Sequence, residues 1–152
     1  VKKHDTVSVV AISDGAIVIN HEEQARLGMF TCIPSGKCEI GSTPLENAKR
    51  ELLEETGMES SDWQEWFVSD PLGHPKIDWS TYFYIAKNCK KVAEQKLDPG
   101  EKITTQLVSF EEFLALREEP TFRNKDLVPL LEKVASDETE KQTLKKLLGI
   151  IT

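Results

Sequence analysis

Between Thr43 and Gly57 the chain writes both ends of one helix. Thr43 fits an N-cap, Pro44 the first helical position, and Glu46 the reciprocal member of a capping box. Gly57 fits the left-handed residue that closes a helix, so the spacing predicts a helix over roughly Pro44 to Thr56. Short β-branched runs lie on either side. "TVSVVAI" and "AIVIN" flank the turn signal "SDG" and predict a hairpin, while "MFTCI" predicts a strand ending at Pro34. "PSGKCEIGS" predicts a loop whose Gly36 and Gly41 permit close approach of backbone to a ligand.

Further along, "WFVS" and "STYFYIA" predict two strands joined by the polar loop "DPLGHPKID", and "TQLVSF" predicts a last strand. Ser109 and Glu112 cap the short helix "FEEFLALR". The segments "KDLVPLLEKV" and "ETEKQTLKKLL" predict two amphipathic helices, the second stopping at Gly149. Pro129 either sits in the opening turn of the first or kinks it. Strands interleaved with capped helices predict an α/β layered domain, and 152 residues suit one domain over 1–152.

The charge balance limits what such a domain does. A net charge of -7 argues against a sequence-independent grip on nucleic acid, which needs clustered Lys and Arg. No apolar run approaches the length of a membrane span. Cys32, Cys38 and Cys89 make neither an even disulfide framework nor a metal-ligand pair, which fits a reducing cytoplasm. An acidic chain that takes a phosphate compound needs another source of positive charge, and a bound divalent cation is one.

The capped helix itself raises that question. At about 100° per residue, with Glu51 at zero, Glu55 falls near about +40°, Asn47 near about −40° and Glu54 near about −60°. Leu45, Ala48, Leu52 and Leu53 fill the neighbouring arc, the face expected to pack on a sheet. The acidic arc therefore abuts the buried arc. Like charges at this spacing cost a few tenths of a kcal/mol per pair, and Glu54 and Glu55 also face the unfavourable end of the helix dipole. Two readings follow from the residues alone: a solvated acidic surface, or hard oxygen ligands for Mg²⁺ with Mn²⁺ as substitute.

The stretch "IPSGKCEIGSTPLENAKRELLEETGM" resembles the Nudix box: G, five residues, E, seven residues, then R-E-U-x-E-E-x-G-U, with U bulky and apolar. Gly36, Arg50, Glu51, Leu52, Glu54, Glu55, Gly57 and Met58 fall at the required places. Ser42 stands where the family has its first glutamate, a departure that implies weakened catalysis or an unpaired Arg50. The resemblance implies the Nudix fold, a mixed β-sheet sandwiched between α-helices. It implies hydrolysis of a nucleoside diphosphate linked to another moiety, a small-molecule substrate. It implies Mg²⁺ held by Glu51, Glu54, Glu55 and the Ser35 carbonyl, with Glu54 and Glu55 among the catalytic groups. Arg50 is expected to anchor the box through an internal salt bridge.

The same stretch is similar to the ADP-ribose pyrophosphatase form of the box, and "LDPGEKITTQLVSFEEF" resembles that form's catalytic loop. On this likeness Glu101 is the distal glutamate, acting as general base or further ligand, with Asp98 second. Substrate contacts are expected from Gly36 and Lys37 in the box loop, from Arg26 and Phe30 before it, and from His74 in "DPLGHPKID", near Pro71. Phe30, Trp66, Trp79 and Tyr82 each have an alternative place in the core. The family likeness also leaves room for a homodimer. Three alternatives to an ADP-ribose-type enzyme stay open: a hydrolase of (d)NTPs or diadenosine polyphosphates, a nucleotide-binding domain without turnover, and a merely structural acidic helix.

Overall fold

The computed structural model describes residues 5–70 and 80–150. His74, Pro71 and Trp79 lie outside the described residues. The first strands are β1 (Thr6–Ser13), β2 (Ala16–Gln24), β3 (Gly28–Cys32) and β4 (Ser35–Lys37), followed by α1 (Pro44–Thr56). Next come β5 (Met58–Glu59), β6 (Asp62–Ser69), β7 (Thr81–Lys87), β8 (Lys90–Lys91) and β9 (Lys102–Val108). The helices α2 (Phe110–Ala115), α3 (Val128–Ala135) and α4 (Glu138–Leu148) close the described chain.

The main sheet runs β3-β2-β1-β7-β6, with β4 added to β1 and β9 to β2. It is mixed, because β1 and β7 run parallel while the other pairings are antiparallel. A sheet covered on both faces needs central strands that are apolar on both sides, and β1 supplies one. Val7, Val9 and Ala11 point into a core with Ala48 and Leu52 of α1, while Val10 and Ile12 join a second core. That second core gathers Phe110, Phe113, Leu131 and Leu144 from α2, α3 and α4. β7 divides likewise, with Tyr84 and Ala86 on the first side and Phe83 and Ile85 on the other. The α/β/α sandwich expected from the sequence is the observed architecture.

Several expectations change in detail. The stretch 34–42 is not all loop: Ser35–Lys37 pairs with Thr6–Ser8. The "WFVS" strand starts earlier, at Asp62, and carries a register shift between Glu65 and Phe67. The two-residue pair β5–β8 has too little pattern to announce itself in sequence. Pro129 lies in the first turn of α3 without kinking it, and Lys125–Leu127 before it is a single 3₁₀ turn. Leu53, assigned to the packing face of α1, is exposed, whereas Leu52 is fully buried. Its place at the far edge of the apolar arc puts it past the sheet.

Candidate active site

The helix that carries the acidic residues is fixed at both ends. The Thr43 hydroxyl accepts from Glu46 N–H at 3.1 Å, and the Glu46 carboxylate accepts from Thr43 N–H at 2.9 Å. At the other end Gly57 adopts φ 73°, and its N–H donates to Leu53 O at 2.8 Å. A side chain there meets both a left-handed backbone and the Ala93 carbonyl, so only glycine fits.

The carbonyls left over at this helix end are taken by the segment that follows β8. Lys96 N–H donates to Glu54 O at 2.8 Å, and Val92 and Ala93 N–H donate to Gly57 O. The Gln95 amide donates to Glu55 O and to Ile103 O, both at 2.8 Å. The chain leading to Glu101 thus hangs from the C-terminus of α1 by hydrogen bonds those carbonyls need anyway. Glu101 lines the same cavity as the helix glutamates, and one of its oxygens, Oε1, accepts from Asp98 N–H at 2.8 Å.

Glu51 and Glu55 face the sheet side of this cavity. Glu55 is only 6% exposed, and its Oε1 accepts from Asn20 Nδ2 and from Ser35 N–H, each at 3.2 Å. Burial pushes its carboxyl up to about 10; the charges of Glu51 and Glu22 add to this, the Ser35 N–H opposes it, and Glu101 adds again. Burial likewise raises Glu51 to about 7, against the pull of Arg50 and with the push of Glu54. Glu54 is the more exposed of the three, with its side chain at 37%. Gly36 makes room for the ridge: a Cβ at that position would overlap the Glu51 carboxylate.

Arg50 is not left without a partner by Ser42. Its Nη1 meets Glu51 Oε1 at 2.9 Å, Glu54 Oε2 at 3.3 Å and Glu39 Oε1 at 3.6 Å. Its Nη2 donates to Lys37 O at 3.2 Å and to Asn47 Oδ1 at 3.0 Å. Asn47 is fully buried and uses both ends of its amide. Its Oδ1 also accepts from Glu39 N–H at 3.0 Å, and its Nδ2 donates to Thr43 O at 2.7 Å. The expectation of an unpaired Arg50 is therefore corrected. Lys37 O and Glu39 in the loop, with Asn47, Glu51 and Glu54 on the helix, hold it.

The cavity measures about 1240 Å³ and is open at its mouth. Ser35, Gly36, Lys37, Glu51, Glu54, Glu55 and Glu101 line it, as does Phe30. Arg26 does not. It stands exposed in the turn between β2 and β3, where Leu27 N–H closes onto Gln24 O and turns the intervening side chains outward. Asn20, Glu22, Asn47, Gln95 and Arg123 were missed in sequence. Glu22 is 7% exposed, lines the cavity, and accepts from the Cys32 thiol at 2.8 Å. Burial first, then the Glu22 charge and hydrogen bond, push that thiol far above its ordinary value. Only Asn47 had a local signal, being an amide placed on the helix wheel beside the acidic arc.

The donor set suits a hard divalent cation. Glu51 and Glu55 are carboxylates held in a poorly hydrated place with too little positive charge beside them, which a cation bound to oxygen would supply. Among the described residues no three Asp, Glu, His or Cys side chains already form a cage. Arg50 Nη1 takes Oε1 of Glu51 and Oε2 of Glu54, which leaves the other oxygen of each carboxylate free of the guanidinium.

A family model described as NUDIX domain matches residues 2–131. A methanol dehydrogenase activator from Bacillus methanolicus is 29% identical over 132 residues, covering 84% of this chain and 71% of that relative. Among solved structures, an ADP compounds hydrolase is similar with a TM-score of 0.75 at 18% identity, over 99% of this chain and 77% of its own. A MutT structure, from a study of the Aliivibrio salmonicida and Vibrio cholerae proteins, gives a TM-score of 0.64 at 19% identity, over 89% of this chain and 98% of its own. At such identities the two structures speak for the fold.

Proposed function

The chain belongs to the Nudix family of pyrophosphohydrolases, and on that premise we propose that it cleaves the phosphoanhydride of a nucleoside diphosphate linked to another moiety, ADP-ribose or a similar nucleotide sugar being the favoured substrate. The observation that carries this reading is the burial of Glu51 and Glu55 against Gly36 and Ser35 in a cavity that Glu101 also lines. The form of the box loop and the similar ADP compounds hydrolase support the choice of substrate.

Glu51, Glu54, Glu55 and the Ser35 backbone are the groups that would hold Mg²⁺ or Mn²⁺. When bound, the ion neutralises phosphate oxygens and acidifies water. The rest falls to the chain. Asn20 and the Ser35 N–H orient Glu55 through Oε1. Arg50 keeps Glu51 and Glu54 on one side of α1, and is itself held by Lys37 O and Asn47. Glu101, with Oε1 committed to Asp98 N–H, has Oε2 to accept the proton of the attacking water. Phosphoryl chemistry asks chiefly for such positioning and charge stabilisation.

The test is a hydrolysis panel with Mg²⁺ containing ADP-ribose, (d)NTPs and diadenosine polyphosphates. AMP plus ribose 5-phosphate from ADP-ribose is the expected outcome. A nucleoside monophosphate plus pyrophosphate from a (d)NTP would move the substrate to the alternative class. Binding without turnover would leave a nucleotide-binding domain. Among the described residues no helix is long and apolar enough to cross a membrane.

A further inference from the structure

Apart from Arg50, the cavity is lined by a second arginine, and the fold pins it. Thr121–Asn124 runs along the free edge of β3: Thr31 N–H donates to Thr121 O at 3.0 Å and Arg123 N–H to Thr31 O at 2.8 Å. Thr31 and Phe122 form a parallel bridge. On one side of Arg123, Phe122 is fully buried. On the other, Asn124 accepts from Ile33 N–H at 2.9 Å and donates to the Ser35 hydroxyl at 3.3 Å. The Arg123 backbone is thereby fixed at both flanks.

Its guanidinium lies 4.6 Å from the centroid of the Phe30 ring, and both residues line the cavity. Cation–π attraction holds the group without consuming its N–H donors. Among the described residues the arginine ion pairs are those of Arg50 and Arg117, and Arg123 makes none. Arg50 is committed to the acidic ridge. Lys37 and Lys96 also line the cavity, and among the described residues neither has an aromatic support of this kind. A nucleoside diphosphate brings two adjacent anionic phosphates to a chain of net charge -7. A cation at the ridge serves the one under attack, and the other needs a positive group of its own. A guanidinium is suited to that task because its fork matches phosphate oxygens in pairs.

We propose that Arg123, propped on Phe30, binds the phosphate of the substrate that lies away from the acidic ridge, and so selects diphosphates over monophosphates. This rests on the hydrolase reading above for the identity of the anion, and its test is built so that the two fail separately.

The experiment compares equilibrium binding of adenosine, AMP and ADP to the full chain with Mn²⁺, in wild type, Arg123→Gln and Arg123→Lys, beside ADP-ribose kinetics. Wild type is expected to prefer ADP over AMP by about tenfold or more. Arg123→Gln brings that ratio close to one with adenosine affinity unchanged, and Arg123→Lys falls between, since it keeps the charge and loses the fork. For ADP-ribose, Arg123→Gln raises KM by about 10- to 100-fold with kcat within about threefold, the range expected for loss of charge-assisted hydrogen bonds. Phe30→Leu, which removes the prop and leaves the charge, lowers the ADP preference part way. A wild type without ADP preference, or a preference that survives Arg123→Gln, overturns the assignment. An inert wild type whose ADP preference vanishes in Arg123→Gln keeps Arg123 and removes the hydrolase. Turnover of ADP-ribose with KM and binding ratio indifferent to Arg123→Gln does the reverse.

Discussion

Gly36 lies directly against the carboxylate of Glu51, so that the smallest side chain at position 36 would overlap it. Gly36 sits in β4 and Glu51 on α1, and their contact is where the loop strand and the acidic helix meet. Gly36→Ala is expected to push Glu51 out of the ridge or β4 off β1. We expect Mn²⁺ affinity to fall by about tenfold or more and hydrolysis by about 100-fold, with a stability loss of about 1–3 kcal/mol from overpacking. Metal titration by calorimetry beside a urea melt checks this; full metal affinity in the variant contradicts it.

Glu55 trades stability for function. Its carboxyl is raised by burial and by neighbouring acids, so the folded chain holds its proton more tightly than the unfolded chain. Between the ordinary carboxylate value of 4.5 and about 7, where Glu51 also titrates, the folded state binds more protons. Stability of the metal-free protein therefore falls as pH rises through that window. Glu55→Gln removes the carboxyl that the folded state must keep protonated above its ordinary range, and keeps an acceptor for Asn20 and Ser35. It is expected to stabilise the metal-free protein at pH 8 by about 1–3 kcal/mol while abolishing hydrolysis. Urea denaturation in chelator at pH 5 and pH 8 measures the stability effects, and Mg²⁺-dependent turnover of ADP-ribose measures the loss of hydrolysis. A wild type that gains stability between these pH values contradicts the assignment.

Asn47 is the buried hub through which the loop at Glu39 and the Arg50 guanidinium are joined to α1. Asn47→Ala strands Glu39 N–H, leaves Thr43 O with only the residue-47 backbone N–H, and leaves Arg50 Nη2 with only Lys37 O. We expect a loss of about 2–4 kcal/mol, with weaker Mn²⁺ binding as Glu51 and Glu54 lose their holder. Asn47→Asp, which keeps the acceptor, recovers part of the metal affinity. Equal metal affinity in Asn47→Ala and wild type would separate this hub from the site.

Gln95 couples the helix of Glu55 to the segment of Glu101 through two carbonyls. Gln95→Ala leaves the acidic ridge in place and loosens the approach of Glu101. The expected result is a kcat reduced by about tenfold with Mn²⁺ affinity retained, and a stability loss of about 1 kcal/mol. Stopped-flow turnover beside metal titration tells this from a general loss of fold, in which both fall together.

What the sequence made legible was local. The end signals of α1 at Thr43, Glu46 and Gly57 act within a few residues, and the structure shows each bond they imply. The two-faced burial of β1 and β7 is likewise written in short apolar runs. The partners of the acidic ridge were not legible, because register and crossover decide them. Asn20 reaches Glu55 from 35 positions away, and Arg123 reaches Phe30 only because its segment joins the edge of β3. Arg26 illustrates the converse, a cation close in sequence to the box that the β2–β3 turn sends outward.

The central claim is that Glu51, Glu54 and Glu55 serve a divalent cation in splitting a nucleoside diphosphate, and turnover of ADP-ribose with Mg²⁺ by wild type and by the Glu54→Gln, Glu55→Gln pair tests it most directly. The account predicts AMP and ribose 5-phosphate from wild type, none in chelator, and a rate at least about 1,000-fold lower in the double variant. Undiminished Mg²⁺-dependent hydrolysis by the double variant would contradict it.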